Sequence, residues 1–189
     1  MEVQDYDKAL EYGKRVLRKW KFKRSRELEK AQSYDMLGRA YESLGEYNKS
    51  FGYYKQTLDI RESILGEMHP ETASSYSSLA TLCVKLRKSK KADEYYEKAL
   101  NIRKSIYGET HADIAASYNG LAALHESLGQ PQQALDYSLK ALDITISING
   151  KKHPDTAASY NNLAMIYQNL GAYQKALEYH QQALDIRIE

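Results

Sequence analysis

The chain has 189 residues, 27 of them basic and 25 acidic, with 17 tyrosines and a single cysteine, Cys83. That length accommodates one domain or one continuous array, and the near-balance of charge excludes a polyanion binder by composition. One cysteine excludes an internal disulfide and fits a reducing compartment. No run approaches the ~18 consecutive apolar residues of a membrane span. The start, MEVQDYDKAL, lacks the basic region and apolar run of a signal peptide. The expectation is a soluble, cytoplasmic protein.

In chain order, residues 1–26 read as a leading helix, the second helix of an incomplete repeat, because DKALEY at 7–12 matches QKALEY at 174–179. Its continuation, KRVLRKWKFKRSR, is strongly basic, with Trp20 and Phe22 interleaved. Such a stretch reads as a solvated, snorkelling helix face, and nucleic acid and membrane partners are disfavoured by the near-zero net charge. From residue 27 a pattern returns every 42 residues, giving units at 27–68, 69–110, 111–152 and 153–189. Tyr34, Tyr76, Tyr118 and Tyr160 are in register, as are Leu37, Leu79, Leu121 and Leu163, and residues 69–110 share 17 of 42 positions with 111–152. This is an internal repeat.

Each unit splits into two helices. In the last, Tyr160, Leu163, Ala164, Tyr167 and Leu170 form one stripe at helical period. Gly171 breaks it, and Ala176, Tyr179, Ala183, Leu184 and Ile186 begin another. Pro70 and Pro154 stand where first helices start, with an acidic residue in the first turn. Gly66, Gly108 and Gly150 stand where second helices end. Each unit is therefore a helical hairpin that cannot bury its apolar face alone. The chain stops at Ile188-Glu189, inside a second helix and without a polar capping helix, so it is expected to be a piece of a longer protein.

These spacings resemble the tetratricopeptide repeat. Residues 34–57 supply its signature as Tyr34, Leu37, Gly38, Tyr41, Gly45, Tyr47, Ser50, Tyr54 and Thr57. Residues 160–183 supply it as Tyr160, Leu163, Ala164, Tyr167, Gly171, Tyr173, Ala176, His180 and Ala183. The usual period is about 34 residues, and eight further residues would add roughly two turns to the second helix. The longer unit, with Y-N-N-L-A in the first helix and L-G-x-x-HP-x-T-A between hairpins, is similar to the kinesin light chain type of repeat. The resemblance implies an all-α, right-handed superhelix of antiparallel hairpins. A leading helix and four hairpins make nine helices.

In such arrays the first helices line a concave groove, so residues off the packing stripe face a ligand. The candidates are Asp35 and Arg39 in the first unit, and Ser77, Ser78, Thr81 and Lys85 in the second. Asn119 follows in the third, and Asn161, Asn162, Met165, Gln168 and Asn169 in the fourth. Asparagine offers donors and an acceptor that suit a ligand's backbone amides, and in the resembled family such asparagines hold an extended cargo peptide. The carboxylate clamp known from other arrays is absent, since Asp35 and Arg39, Ser78, Ala116 and Gly120 stand at its places.

His69, His111 and His153 are 42 residues apart, so in stacked hairpins they lie about one repeat from each other, too far to share a metal at the ~2 Å zinc–nitrogen bond, and they read as structural residues at helix starts. His125 and His180 fall at inward positions, and Cys83 reads as a buried small hydrophobe. No catalytic residue, metal site or cofactor is indicated. The function expected is a non-catalytic protein-interaction scaffold or adaptor that binds a peptide segment of a partner protein. The alternative is a regulatory or self-association domain of a larger signalling protein or enzyme, in contact with the rest of its parent chain.

Overall fold

A computed structural model describes the backbone of residues 3–188 and the side chains of residue 19 and residues 22–188. The described residues form eight helices: α1 (Val3–Ser43), α2 (Tyr47–Leu65), α3 (Pro70–Lys85), α4 (Ser89–Tyr107), α5 (Ala112–Ser127), α6 (Pro131–Asn149), α7 (Pro154–Asn169) and α8 (Tyr173–Ile188). Nine were expected. The leading helix and the first helix of the first hairpin are one continuous helix, α1. The reason is local: no glycine or proline occurs between Gly13 and Gly38, so nothing interrupts the backbone ladder. Most side chains of the basic stretch at 14–26, Trp20 included, lie outside the described residues.

The chain divides into two compact units, residues 1–67 and 68–189. In the first, α1 packs on α2. Ala31 and Thr57 are buried at that contact, and the Thr57 hydroxyl lies 3.3 Å from the Ala31 carbonyl. Leu37 shares its register with Leu79, Leu121 and Leu163, which are fully buried, yet it is 42% exposed. Within its unit, α1 has α2 as its only substantial packing partner.

The second unit is a run of three hairpins, α3–α4, α5–α6 and α7–α8. They are joined by packing of α4 on α5 and α6 on α7, with a lighter approach of α3 to α5. Its core alternates leucine with alanine. Leu79, Leu82, Leu121, Leu124 and Leu163 are buried with Ala73, Ala80, Ala92, Ala99, Ala134, Ala141, Ala157 and Ala164. Alanine keeps the axes close and costs no side-chain entropy, while leucine fills the space between turns.

Every first helix in this unit begins the same way. His69, His111 and His153 take extended backbone, and each Nδ1 accepts the amide N–H two residues on, from Glu71, Asp113 and Asp155, at 3.2, 3.2 and 3.1 Å. The three histidines are N-caps, each satisfying an otherwise orphaned donor. Among the described residues no cluster of three or more His, Cys, Asp or Glu side chains is placed to hold a metal ion. No helix there is long and apolar enough to cross a membrane.

The turns inside the hairpins are also alike. At three of them Gly45, Gly129 and Gly171 take φ of 75°, 67° and 73°; at the fourth, Arg87 does so with φ 55°. The Arg87 N–H donates to the Val84 carbonyl and the Lys88 N–H to the Cys83 carbonyl, at 3.0 and 2.8 Å. This is the Schellman closure that glycine makes in the other hairpins. An L-residue held in this region costs about 1–2 kcal/mol. Arg87→Gly should therefore stabilise the protein by about 1 kcal/mol, read as a higher urea midpoint with an unchanged m-value. A lower midpoint would contradict the left-handed backbone at Arg87.

Candidate functional site

An aromatic contact sets the distance between the two helices of each hairpin. Ring centroids of Tyr34 and Tyr53, Tyr76 and Tyr95, Tyr118 and Tyr137, and Tyr160 and Tyr179 lie 5.9, 5.8, 6.0 and 5.8 Å apart. A turn further along the first helix, Tyr41, His125 and Tyr167 stack on the same second-helix tyrosines at 5.4, 5.3 and 5.4 Å. Cys83 takes this place in the second hairpin. It is buried, and burial pushes its thiol pKa up, which disfavours the reactive thiolate.

The candidate residues then separate by what holds them. In the first unit Asp35 is buried and its carboxylate meets the Arg39 guanidinium at 2.9 Å. In the second unit the Ser77 hydroxyl accepts from Arg103 Nη1 at 2.9 Å, and the Ser78 hydroxyl donates to the Ser74 carbonyl at 3.2 Å. Thr81 Oγ1 is hydrogen-bonded to the Tyr96 hydroxyl at 2.9 Å, and Lys85 is exposed in the last turn of α3. Asn161 Oδ1 is bonded to His180 Nδ1 across the last hairpin at 3.0 Å, and Gln168 reaches the same ring at 3.5 Å. The Asn169 amide donates to the Glu126 carboxylate at 2.8 Å, tying α7 to α5.

Asn119, Asn162 and Met165 are brought together. Asn119 and Asn162 line two adjoining clefts between α5 and α7, one of about 280 Å³ and a smaller one of about 150 Å³ to which Met165 contributes. Both clefts reach α6, the larger through Thr145 and the smaller through Ser138. Reading groove residues from first helices alone misses these two. The signal was present in the 42-residue register, where Tyr54, Tyr96 and His180 correspond to Ser138, and Arg61, Arg103 and Arg187 to Thr145.

The Ser138 exchange has a counterpart across the interface. One repeat earlier the Tyr96 ring lies so close to Gly120 that a Cβ there would sit 2.4 Å from Tyr96 Cε1. In the 42-residue register, Ser138 replaces Tyr96 and Asn162 replaces Gly120. Large and small are thus inverted, and an amide is left where a ring covers its equivalent. The charged groups lining the clefts are carboxylates: Asp155 in the larger and Glu126 in the smaller.

The tetratricopeptide repeat family model matches residues 1–63, 29–105, 71–147 and 113–189, which together span the chain. Among solved structures, BtubC (BKLC) from P. vanneervenii is similar at 29% identity and a TM-score of 0.76, over 84% of this chain and 63% of that one. The nearly identical TPR-like repeats of a kinesin-light-chain-type protein from Podosopora anserina match at 27% identity and a TM-score of 0.71, over 83% of this chain and 74% of that one. The chain thus spans less than two thirds of the length of the BtubC protein. Comparison with curated proteins finds no match.

The Tyr96–Gly120 contact makes a quantitative expectation. Gly120→Ala gains helix propensity of about 1 kcal/mol but overpacks a buried ring, at about 1–3 kcal/mol, and strains the Tyr96–Thr81 bond, worth about 1 kcal/mol. The net result should be a loss of about 1–3 kcal/mol in denaturant unfolding. Tyr96→Ser in the same chain should remove most of the added cost of the alanine. A stabilising Gly120→Ala would contradict the ring's position.

Proposed function

The chain belongs to the tetratricopeptide repeat family, whose arrays are protein-interaction scaffolds, and from that premise we propose that it is a non-catalytic adaptor. On this reading the α5–α7 groove of its second unit takes an extended peptide segment of a partner protein. The observation that carries this reading is the pair of adjoining clefts that share Asn119 and Asn162. Neither side-chain amide is drawn into a hairpin as Asn161 is. Amides so placed serve a ligand's backbone N–H and C=O groups whatever its side chains are. Helices α5–α7 present them on a preformed surface, which limits the ordering cost of binding. Asp35, Arg39, Ser77, Ser78, Thr81 and Lys85 then lie outside this groove, and Gln168 and Asn169 support its wall.

Peptides selected from a random-sequence display library against the wild-type chain test this directly. Two backbone-directed hydrogen bonds are worth about 0.5–1.5 kcal/mol each. Asn119→Leu/Asn162→Leu should therefore weaken the selected peptides about tenfold or more, with helicity and melting unchanged. Undiminished binding by that variant would place the peptide elsewhere.

A second reading, a self-association domain or one that contacts more of a parent chain, is favoured by a different surface. On α8, Leu177 and Leu184 are exposed, whereas their equivalents on α6, Leu135 and Leu142, are buried where α6 packs against α7. Exposed apolar faces of this kind mark interaction surfaces. Light scattering would decide the self-association version. A mass rising with concentration, abolished by Leu177→Lys/Leu184→Lys, is the expected sign of self-association, and a constant monomer mass would remove that version.

A further inference from the structure

One buried guanidinium recurs along the array. Arg61 and Arg103 are more than nine-tenths buried at the same position of their repeats. The environment of Arg103 is explicit. Its Nη1 donates to the Ser77 hydroxyl on α3 at 2.9 Å and to the Ser117 hydroxyl on α5 at 2.6 Å. Burial lowers its pKa, and the Asp113 carboxylate opposes that effect. The second repeat thus has a guanidinium socket made of two oxygen acceptors and one nearby carboxylate.

The third repeat keeps the socket and lacks the guanidinium. Forty-two residues on, Ser77 becomes Asn119, Ser117 becomes Ser159, Asp113 becomes Asp155, and Arg103 becomes Thr145. All four line the larger cleft. Thr145 does not replace the lost donor, because its hydroxyl donates back to the Ala141 carbonyl at 2.8 Å. Ser159 is more than nine-tenths buried. Its hydroxyl donates to the Asp155 carbonyl at 3.0 Å, as that of Ser117 does to the Asp113 carbonyl at 2.9 Å. In Ser117 the oxygen also accepts the guanidinium. In Ser159 no donor among the described residues reaches it, and the cleft of about 280 Å³ lies where the arginine would be. The Asp155 carboxylate is steadied by the Asn149 amide at 3.2 Å. No lysine or arginine lines the cleft.

We propose that this cleft is an arginine pocket: a partner peptide inserts an arginine side chain whose guanidinium takes the place, in trans, that Arg103 fills in cis one repeat earlier. The proposal rests on the groove reading above and names its specificity. Arginine fits better than lysine, because a planar fork can donate to Asn119 Oδ1 and Ser159 Oγ at once, as Arg103 does to its two serines, whereas an ammonium is a more strongly hydrated point charge. Asp155 supplies the charge preference.

The probe is N-acetyl-arginine N-methylamide, with its citrulline and lysine counterparts, titrated into the isotope-labelled chain and followed by NMR. The arginine compound should give saturable shifts at the Asn119 and Asn162 side-chain amides and the Ser159 backbone amide. The citrulline and lysine compounds should bind at least tenfold more weakly. T145R supplies the guanidinium in cis, so it should lose the response at least tenfold while melting no lower than wild type. Its crystal structure should show the introduced guanidinium on Ser159 Oγ. Asp155→Asn, a milder change, should weaken the arginine compound at least threefold. Equal binding of citrulline, an undiminished response in T145R, or an introduced guanidinium turned to solvent would each overturn the pocket. Peptides that need Asn119 and Asn162 but show no preference for arginine would overturn it while leaving the groove reading intact. An arginine response without any dependence of peptide binding on those asparagines would overturn the groove reading and, with it, a partner peptide as the source of the arginine.

Discussion

The packing of one second-helix tyrosine ring against the first helix is the contact on which the rest of each hairpin depends. Tyr53, Tyr95, Tyr137 and Tyr179 each meet a first-helix tyrosine with centroids 5.8 to 6.0 Å apart. Aromatic pairs at this spacing contribute about 0.5–1.5 kcal/mol beyond their buried area. Their greater effect is geometric. A rigid ring between two helices fixes separation and rotation together, and the alanines around it remove the bulk that would push the axes apart. Once rotation is fixed, the positions of a first helix that face away from its partner are fixed too.

That division leaves the off-stripe residues free to differ from unit to unit, and the third repeat uses the freedom on both sides of the groove. Its second helix, α6, carries Ser138 and Thr145 where neighbouring repeats carry a ring and a guanidinium. The tyrosine clasp, the leucines and the alanines of the same hairpin are unchanged in kind. The fold is preserved because the two exchanges lie between repeats. Their result is space at the surface, bounded by amides and carboxylates.

Burying Arg103 illustrates how costly the alternative is. A guanidinium removed from water must recover its hydration from fixed partners, and here two hydroxyls and a nearby carboxylate share that task. A protein that keeps the acceptors and drops the cation has left a polar site open. A serine oxygen and a carboxylate in a cleft favour a donor with positive charge.

Much of the architecture was legible in the sequence because it depends on local and periodic signals. The 42-residue period, the hairpin turns at Gly45 and Gly171, the helix ends at Gly66, Gly108 and Gly150, the helix starts at His69, His111 and His153, and the buried leucines at 79, 121 and 163 all follow from spacing and backbone preference. So does the burial of Cys83. Other features were decided only when helices met. The continuity of α1 shows that a missing breaker outweighs a repeat boundary. Asp35 is buried although its position is off the stripe, and Asn161 turns to His180 while Asn162, its neighbour, lines both clefts. One residue's difference along a helix is about 100° of rotation, and which of two adjacent amides reaches the groove is settled by the partner across the hairpin. The sequence by itself determined most of the residues that pack, because packing is periodic; Leu37, Leu184 and Asp35 depart from it. Only the tertiary structure decided where space remains, because a cleft is made by side chains from three helices and belongs to none of them.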